Sequence, residues 1–258
     1  MTDEFAGLVA VVTGAAQGIG RAIAEQLHAM GARLLLLDCN ETGVSAVTES
    51  MRNAGGPSAS FLVVDLANPL AIKALALQAS TLLERVDVLI NNAGIELDLP
   101  LDKISAEAFD RVIAVNLRAP LLLSQALVPL FPGSGGAIVN ISSIHADHAF
   151  PNAIPYACSK AGLMALTRNL ALELAPRHIR VNAICPGYID TPMWDEWLRS
   201  TSNPEGAARQ TEALHPLGRR GYPCDVASAA VYLACSQATW ITGTSLVVDG
   251  GLTVRAHP

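Results

Sequence analysis

Four short runs in this chain, LVAVVT (8–13), RLLLLD (33–38), SFLVVD (60–65) and VDVLIN (86–91), are unbroken apolar stretches that each end in a polar residue. A strand with one wet face alternates apolar and polar side chains. These runs do not, and so they read as parallel strands buried on both faces. Further strands are expected at GAIVNIS (136–142), IRVNAI (179–184) and SLVVDG (245–250), with helical patterns between them, notably over 19–30, 69–84, 106–130, 156–175 and 225–236. Regular alternation of this kind requires right-handed crossovers. It predicts an α/β chain with one doubly wound parallel sheet of about seven strands and helices on both faces. No Pro/Gly/Ser-rich linker or internal repeat interrupts it, so residues 1–258 read as a single domain. The longest interruption, 188–217, carries Pro192, Pro204, Pro216, Trp194 and Trp197. It is expected to be a substrate lid, because ligands of such sheets bind beyond the carboxyl ends of the strands, where this segment departs.

Composition narrows the classes of partner. Hydrophobic residues make up 51% of the chain and charged residues 16%, enough apolar material for a sizeable core. The net charge of −6 is spread along the chain with no basic block, which argues against nucleic acid. No uninterrupted apolar run reaches the ~20 residues of a membrane span, and the start, MTDEFAG, lacks the basic-then-apolar order of a signal peptide. The five cysteines, Cys39, Cys158, Cys185, Cys224 and Cys235, show no C-x-x-C spacing and read as reduced thiols, which suits a cytoplasmic protein.

The first strand runs directly into TGAAQGIG (13–20), which opens a helix. Glycines at 14, 18 and 20 allow a tight turn and let the backbone approach a pyrophosphate at the helix N-terminus. A glycine pattern alone is weak; strand before and helix after make it a dinucleotide signal. Asp38 ends the second strand, eighteen residues beyond Gly20. A carboxylate there accepts hydrogen bonds from both ribose hydroxyls of an adenosine and repels a 2′-phosphate. No Arg or Lys occupies positions 15, 16 or 39, so the expected cofactor is NAD rather than NADP. Asp38 could alternatively cap the following segment. PYACSK (155–160) sets Tyr156 and Lys160 four apart at the start of a helix, hence on one face. A free phenol titrates near ~10, and a nearby ammonium lowers that value, so the pair reads as an acid–base unit. HADH (145–148) lacks a third convincing ligand, and no metal is expected. Cys185 has no adjacent base and reads as packing.

Together TGAAQGIG, Asp65–Leu66, NNAG (91–94), Asn116, Ser142–Ser143, YACSK and PGYIDTPM (186–193) resemble the short-chain dehydrogenases/reductases over essentially the whole chain, from the first strand to the closing VVDGG. The resemblance implies a Rossmann-type sheet and hydride transfer between a secondary alcohol or ketone and a nicotinamide. It implies Tyr156 as general acid/base, Ser143 holding the substrate oxygen, Lys160 binding the nicotinamide ribose and lowering the tyrosine pKa, and Asn116 holding a relay water. Ser142 is expected to be structural. Cofactor contacts are implied at Gly14, Gln17, Gly18, Ile19, Gly20 and Asp38, at Asp65 and Leu66 around the adenine, at Asn92 along the cleft, and at Ile189 and Thr191 on the carboxamide. The family commonly pairs the Tyr156 helix and the preceding one between subunits, which implies a homotetramer or homodimer.

For the substrate, the loops offer Glu96, Asp98, His145, Asp147, His148, Asn152, Glu196 and Arg199 beside Tyr188, Trp194 and Trp197. Carboxylates, imidazoles and an amide suit hydroxyl groups, and aromatic faces suit a sugar ring. His145, His148, Asn152, Trp194 and Arg199 are the expected substrate contacts. SSIH is similar to a motif of some sugar dehydrogenases of the family, and TPMWDEW with HPLGRRG resembles the lid of its L-fucose dehydrogenase-like branch, whose members also accept hydroxysteroids. The expectation is NAD-dependent oxidation of a sugar, polyol or sugar acid, with Arg199 or Arg209 available to a carboxylate. The alternatives are a steroid or acyl carbonyl substrate, or a non-catalytic NAD-responsive regulator.

Overall fold

The structure, a computed structural model, describes residues 3–255. The parts of the acidic start and of the 1–258 domain that fall on the first two and last three residues lie outside the described residues. Seven strands, β1 (Val9–Thr13), β2 (Arg33–Asp38), β3 (Ala59–Val63), β4 (Val88–Asn91), β5 (Gly136–Ile141), β6 (Ile179–Pro186) and β7 (Ser245–Val248), form one sheet. Their order is β3-β2-β1-β4-β5-β6-β7, with every neighbouring pair parallel. The winding reverses between β1 and β4, which opens a crevice above their carboxyl ends.

The helices are α1 (Gly18–Ala29), α2 (Glu41–Ala54), α3 (Pro69–Leu82), α4 (Ala106–Ile113), α5 (Ala119–Leu127), α6 (Ile154–Leu174), α7 (Pro192–Ser200), α8 (Pro204–Leu214) and α9 (Pro223–Ala234). The unbroken apolar strand runs are explained by two cores, one on each face. Ala10, Val12, Leu34 and Leu36 pack with Ile23 and Leu27 of α1, Val47 of α2 and Val226 of α9. Val9, Val11, Leu35 and Leu37 point the other way, into Ile72 of α3, Leu123 of α5 and Leu174 of α6. Each buried leucine stabilises the fold by about 1.5–3 kcal/mol relative to exposure. A polar chain crosses the second face: Asn91 donates to Asn140 (2.8 Å), Asn140 to Thr167 (2.9 Å), and Thr167 to the Leu163 carbonyl (2.8 Å). These bonds fix the register of α6 over β4 and β5.

Two elements depart from expectation, and a third, the 188–217 lid, is more regular than the short helical patches its sequence suggests. Helix α2 was not among the anticipated segments; only Val44, Val47, Thr48 and Met51 are buried, a narrow stripe among polar residues and one glycine. The stretch 106–130 is interrupted by a π-helical turn, Ala114–Arg118, in which the Ala119 N–H reaches back to the Ala114 carbonyl. The lid contains two complete helices, α7 and α8, each with proline in its first turn and an Asn or Thr cap: Thr191 accepts from the Trp194 N–H and Asn203 from the Gly206 N–H. The segment Ala106–Leu130 is, by length and composition, long and apolar enough to cross a membrane, with mean hydropathy 1.4. It qualifies on average rather than as one apolar run, and half of that apolar window is buried in the protein.

Candidate functional site

The crevice above β1 and β4 holds a cavity of about 900 Å³. Its floor at one end is the 14–20 turn. Gly14 and Gly18 adopt φ of 64° and 55°, the left-handed region that L side chains avoid. Gly20 is required for a different reason: a Cβ there would sit 2.2 Å from the Gly14 carbonyl oxygen and 2.4 Å from the Asn92 amide. Asn92 holds this turn closed, donating to the Thr13 and Gly14 carbonyls at 2.9 and 3.1 Å. Gln17 caps α1 without a side-chain bond, and Gln17 and Ile19 line the cavity mouth. Gly20 therefore supports the turn from behind rather than facing the cavity.

Asp38 reaches into this end of the cavity, one oxygen accepting the Ala16 N–H and the other the Asn40 N–H, both at 2.9 Å. The capping role considered for it belongs to Asn40, whose side chain accepts from Gly43. Arg21 pairs with Glu25 and Arg33 bonds Ser58, so neither guanidinium turns toward Asp38. Asp65 and Leu66 line the same region, with Arg111 of α4 3.7 Å from Asp65. Among the described residues these groups make a slot suited to an adenosine, and the glycine turn beside it fits a pyrophosphate.

At the other end, α6 presents Tyr156 and Lys160, both buried. Pro155 sits in its first turn, as the sequence suggests, although the helix begins one residue earlier. The Lys160 ammonium donates to the Ile141 carbonyl (2.8 Å) and lies 5.4 Å from the centre of the Tyr156 ring. Burial pulls Lys160 down to about 8, with Glu96 and Cys185 opposing. The effect expected on Tyr156 is not what the protein alone produces. Burial first, then the charge of Glu96, push the phenol well above its ordinary value, with the Ser143 hydroxyl working the other way. Burial is the main reason, because it penalises the charged phenolate; Glu96 adds to it, and the Lys160 ammonium is turned toward a carbonyl.

Ser143, two residues beyond β5, caps the short turn at Ile144–Ala146 and lines the cavity, its hydroxyl accepting the His145 N–H at 3.2 Å. Ser142 donates to the Lys160 carbonyl (3.1 Å), a structural bond. Asn116 sits in the π turn behind the wall and is wholly buried. Its side chain accepts the Ile95 N–H and donates to the Ile95 carbonyl, each at 2.9 Å, and donates to Ser159 at 3.0 Å. Its amide is thereby committed to holding the loop after β4. Ile189 and Thr191 line the cavity where the lid leaves β6.

The substrate expectations divide. His145, Asn152 and Trp194 line the cavity. His145 stacks on Phe150 (4.0 Å between centres) and meets Tyr156 edge-on (5.3 Å); burial and Lys160 hold it down at about 4, so its ring is neutral. His148 is exposed on its loop and does not reach the cavity, because the turn at 144–148 carries it outward. Arg199 lies on the exposed face of α7, one residue short of the lining Ser200, and Arg209 is taken up by Glu205 at 3.7 Å. Asp147 and Glu196 are also exposed and off the wall. The aromatic wall is Tyr188, Trp194 and Trp197, with the tryptophans stacked 4.8 Å apart. Phe150 completes it, and no motif marks that residue in the sequence. Arg220, also unanticipated, is 2.9 Å from Asp190 and 2.8 Å from Glu212 and lies over the Trp194 ring. Among the described residues no cluster suited to a metal is present, and the cysteines are free.

The chain is matched over residues 14–253 by the family model described as enoyl-(acyl carrier protein) reductase. It is 40% identical to 3beta-hydroxysteroid dehydrogenase 1 of Eggerthella lenta, over 98% of this chain and 97% of that protein. It is 36% identical to L-fucose dehydrogenase of Oryctolagus cuniculus, over 99% of this chain and 88% of the relative. Among solved structures it superimposes with a TM-score of 0.91 at 36% identity on one described as an NAD(P)-dependent gluconate 5-dehydrogenase from Beutenbergia cavernae with bound NADP, covering 97% of this chain and 98% of that one. A nicotinamide cofactor and an alcohol-type substrate go with that kinship, and the chain belongs to the short-chain dehydrogenase/reductase family of oxidoreductases.

Proposed function

We propose that this protein oxidises a secondary hydroxyl of a sugar, polyol or sugar acid with NAD. The observation that carries the reading is the juxtaposition, in one cavity, of the Tyr156–Lys160–Ser143 constellation with Asp38 at the far end and the Tyr188–Trp194–Trp197 wall at the near one. Bound oxidised nicotinamide supplies the hydride acceptor and a positive charge beside the phenol. Ser143 holds the substrate oxygen, and Tyr156 takes its proton as the carbon–hydrogen bond gives up its electron pair. Lys160 holds the ribose and stabilises the phenolate. Because the protein alone keeps Tyr156 protonated, the base form belongs to the loaded enzyme, which restricts proton abstraction to complexes that can complete the reaction. Asn116 positions the loop after β4, and its place in a π turn suits a role in proton relay.

Asp38, bonded to the Ala16 and Asn40 N–H groups with no cationic side chain among the described residues paired to it, supports NAD over NADP. The exposed Leu121 of α5 and Leu172 of α6 (44% and 79%) support assembly as a homotetramer or homodimer through these helices.

A second reading, a hydroxysteroid substrate, is favoured by the kinship with the Eggerthella lenta enzyme and by the width of the aromatic wall. A panel of sugars, sugar acids, polyols and steroids, followed by reduced-cofactor absorbance with NAD and NADP in parallel, separates the readings. Turnover of steroids alone overturns the sugar reading, and faster turnover with NADP overturns the Asp38 argument. Tyr156→Phe is expected to lose about 10³-fold in kcat while still binding NADH.

A further inference from the structure

The cofactor's own half of the cavity uses Asp38, Asp65 and Arg111; the half around Tyr156 has a different charge pattern. Glu96 and Asp98, on the loop that follows β4, both line it. Among the described residues Glu96 accepts no hydrogen bond from the protein, although it is largely withdrawn from solvent. Burial and the neighbouring Asp98 raise its carboxyl to about 7 against the opposing pull of Lys160. Asp98, the more exposed of the two, is raised as well, by partial burial, with a hydrogen bond from Trp197 working the other way. The only cationic side chain among the described residues lining this half is Lys160, which is bonded to Ile141. The arginines suited to a substrate carboxylate are elsewhere: Arg199 is exposed, Arg209 is exposed beside Glu205, and Arg220 is divided between Asp190 and Glu212. A second observation points to a ligand. Trp194, 5% exposed, lines the same cavity with its indole nitrogen unpartnered, and the Nδ1 of His145 is unpartnered too. A carboxylate without a protein hydrogen bond, a second one beside Trp197, and unmet polar atoms in the residues behind them suit an uncharged polyhydroxylated ligand, whose hydroxyls both donate and accept.

Resting on the sugar or polyol reading of this pocket, we propose that Glu96 and Asp98 form an acidic wall that reads the hydroxyls of a neutral polyol or sugar and excludes substrates bearing a carboxylate. The exclusion is repulsive above about pH 7, where Glu96 is ionised, and is read at a pH of ~8.5: a substrate anion then meets two carboxylates with one ammonium already engaged. The attraction comes from carboxylate acceptors for hydroxyl donors, with the sugar face lying on Trp194 and Trp197.

The test compares alditols with aldonates of matching chain length and configuration, D-glucitol against D-gluconate among them, as kcat/KM with saturating NAD. The wild type is expected to favour the neutral member by about tenfold or more, a margin that one unfavourable charge contact supplies. Glu96→Gln is expected to shrink that margin by about tenfold, chiefly through a lower KM for the aldonate, and Glu96→Gln/Asp98→Asn to shrink it further. NADH binding by fluorescence verifies that each variant is folded. The wild-type ratio needs no variant, so a poorly folding mutant leaves the question decidable. Wild-type preference for aldonates, or oxidation of both members with a ratio the substitutions leave unmoved, overturns the acidic wall while keeping the sugar reading. Oxidation of no member of any pair overturns both.

Discussion

Glu96 is the residue whose ionisation has most to say about this protein's pH behaviour. Its folded-state value of about 7 stands above the ordinary 4.5, so the folded protein retains a proton that the unfolded chain releases between those pH values. Its contribution is therefore most favourable below about 4.5 and is lost as pH rises through 7. Glutamine mimics the protonated form throughout. Glu96→Gln should match the wild type in urea melts at pH 5 and exceed it at pH 8 by on the order of 2 kcal/mol. Asp38 gives a second prediction. Asp38→Ala should raise the KM for NAD by about tenfold, with a smaller change for NADP, because only the former loses hydrogen bonds to a charged acceptor. At this scale much was legible. Tyr156, Lys160, Ser143 and Asp38 stand at fixed distances along motifs, and each lines the cavity. What the chain's order could not reveal was orientation. His148 and Arg199 have suitable chemistry but face outward, and the phenol's upward shift depends first on its burial and then on a carboxylate from a different loop.

Among elements, the lid shows how long a segment can be held by one side chain. Arg220, 14% exposed, bonds Asp190 at the lid's root and Glu212 on α8 while covering Trp194 on α7. Arg220→Met keeps the stem but breaks both ion pairs. It should raise substrate KM by about threefold to tenfold with less effect on kcat, and speed proteolytic cleavage in the connection between α7 and α8. A proteolysis rate equal to the wild type's would show that other contacts hold the lid. The lid's extent was readable from its prolines and tryptophans, but its helices were less so, because their amphipathic patterns are short and the arginine that joins them carries no motif. Helix α2 escaped notice for a related reason: its buried stripe is only Val44, Val47, Thr48 and Met51.

For the whole molecule, strand order matters more than any element. The cavity draws on the carboxyl ends of β1, β2, β4, β5 and β6, so a ligand filling it joins strands that are far apart in sequence. Cofactor at a hundred times its Kd should stabilise the fold by about 2.7 kcal/mol and raise Tm by roughly 5 °C or more, readable by scanning calorimetry. The doubly wound class was visible because unbroken apolar strands alternating with helices require a parallel sheet covered on both faces, and the glycine-rich first turn marks a dinucleotide fold. The π turn at Ala114–Arg118 was invisible, since its composition is that of an ordinary helix. A π turn is an α-helix with one residue too many, so deleting one residue from this stretch would restore regular geometry and strengthen the helix itself. The same deletion would remove the bulge that aims Asn116, parting it from either Ile95 or Ser159. Helix regularity and the hold of Asn116 on the loop after β4 thus pull in opposite directions here, and a lineage that trimmed this helix to its most comfortable length would release that loop.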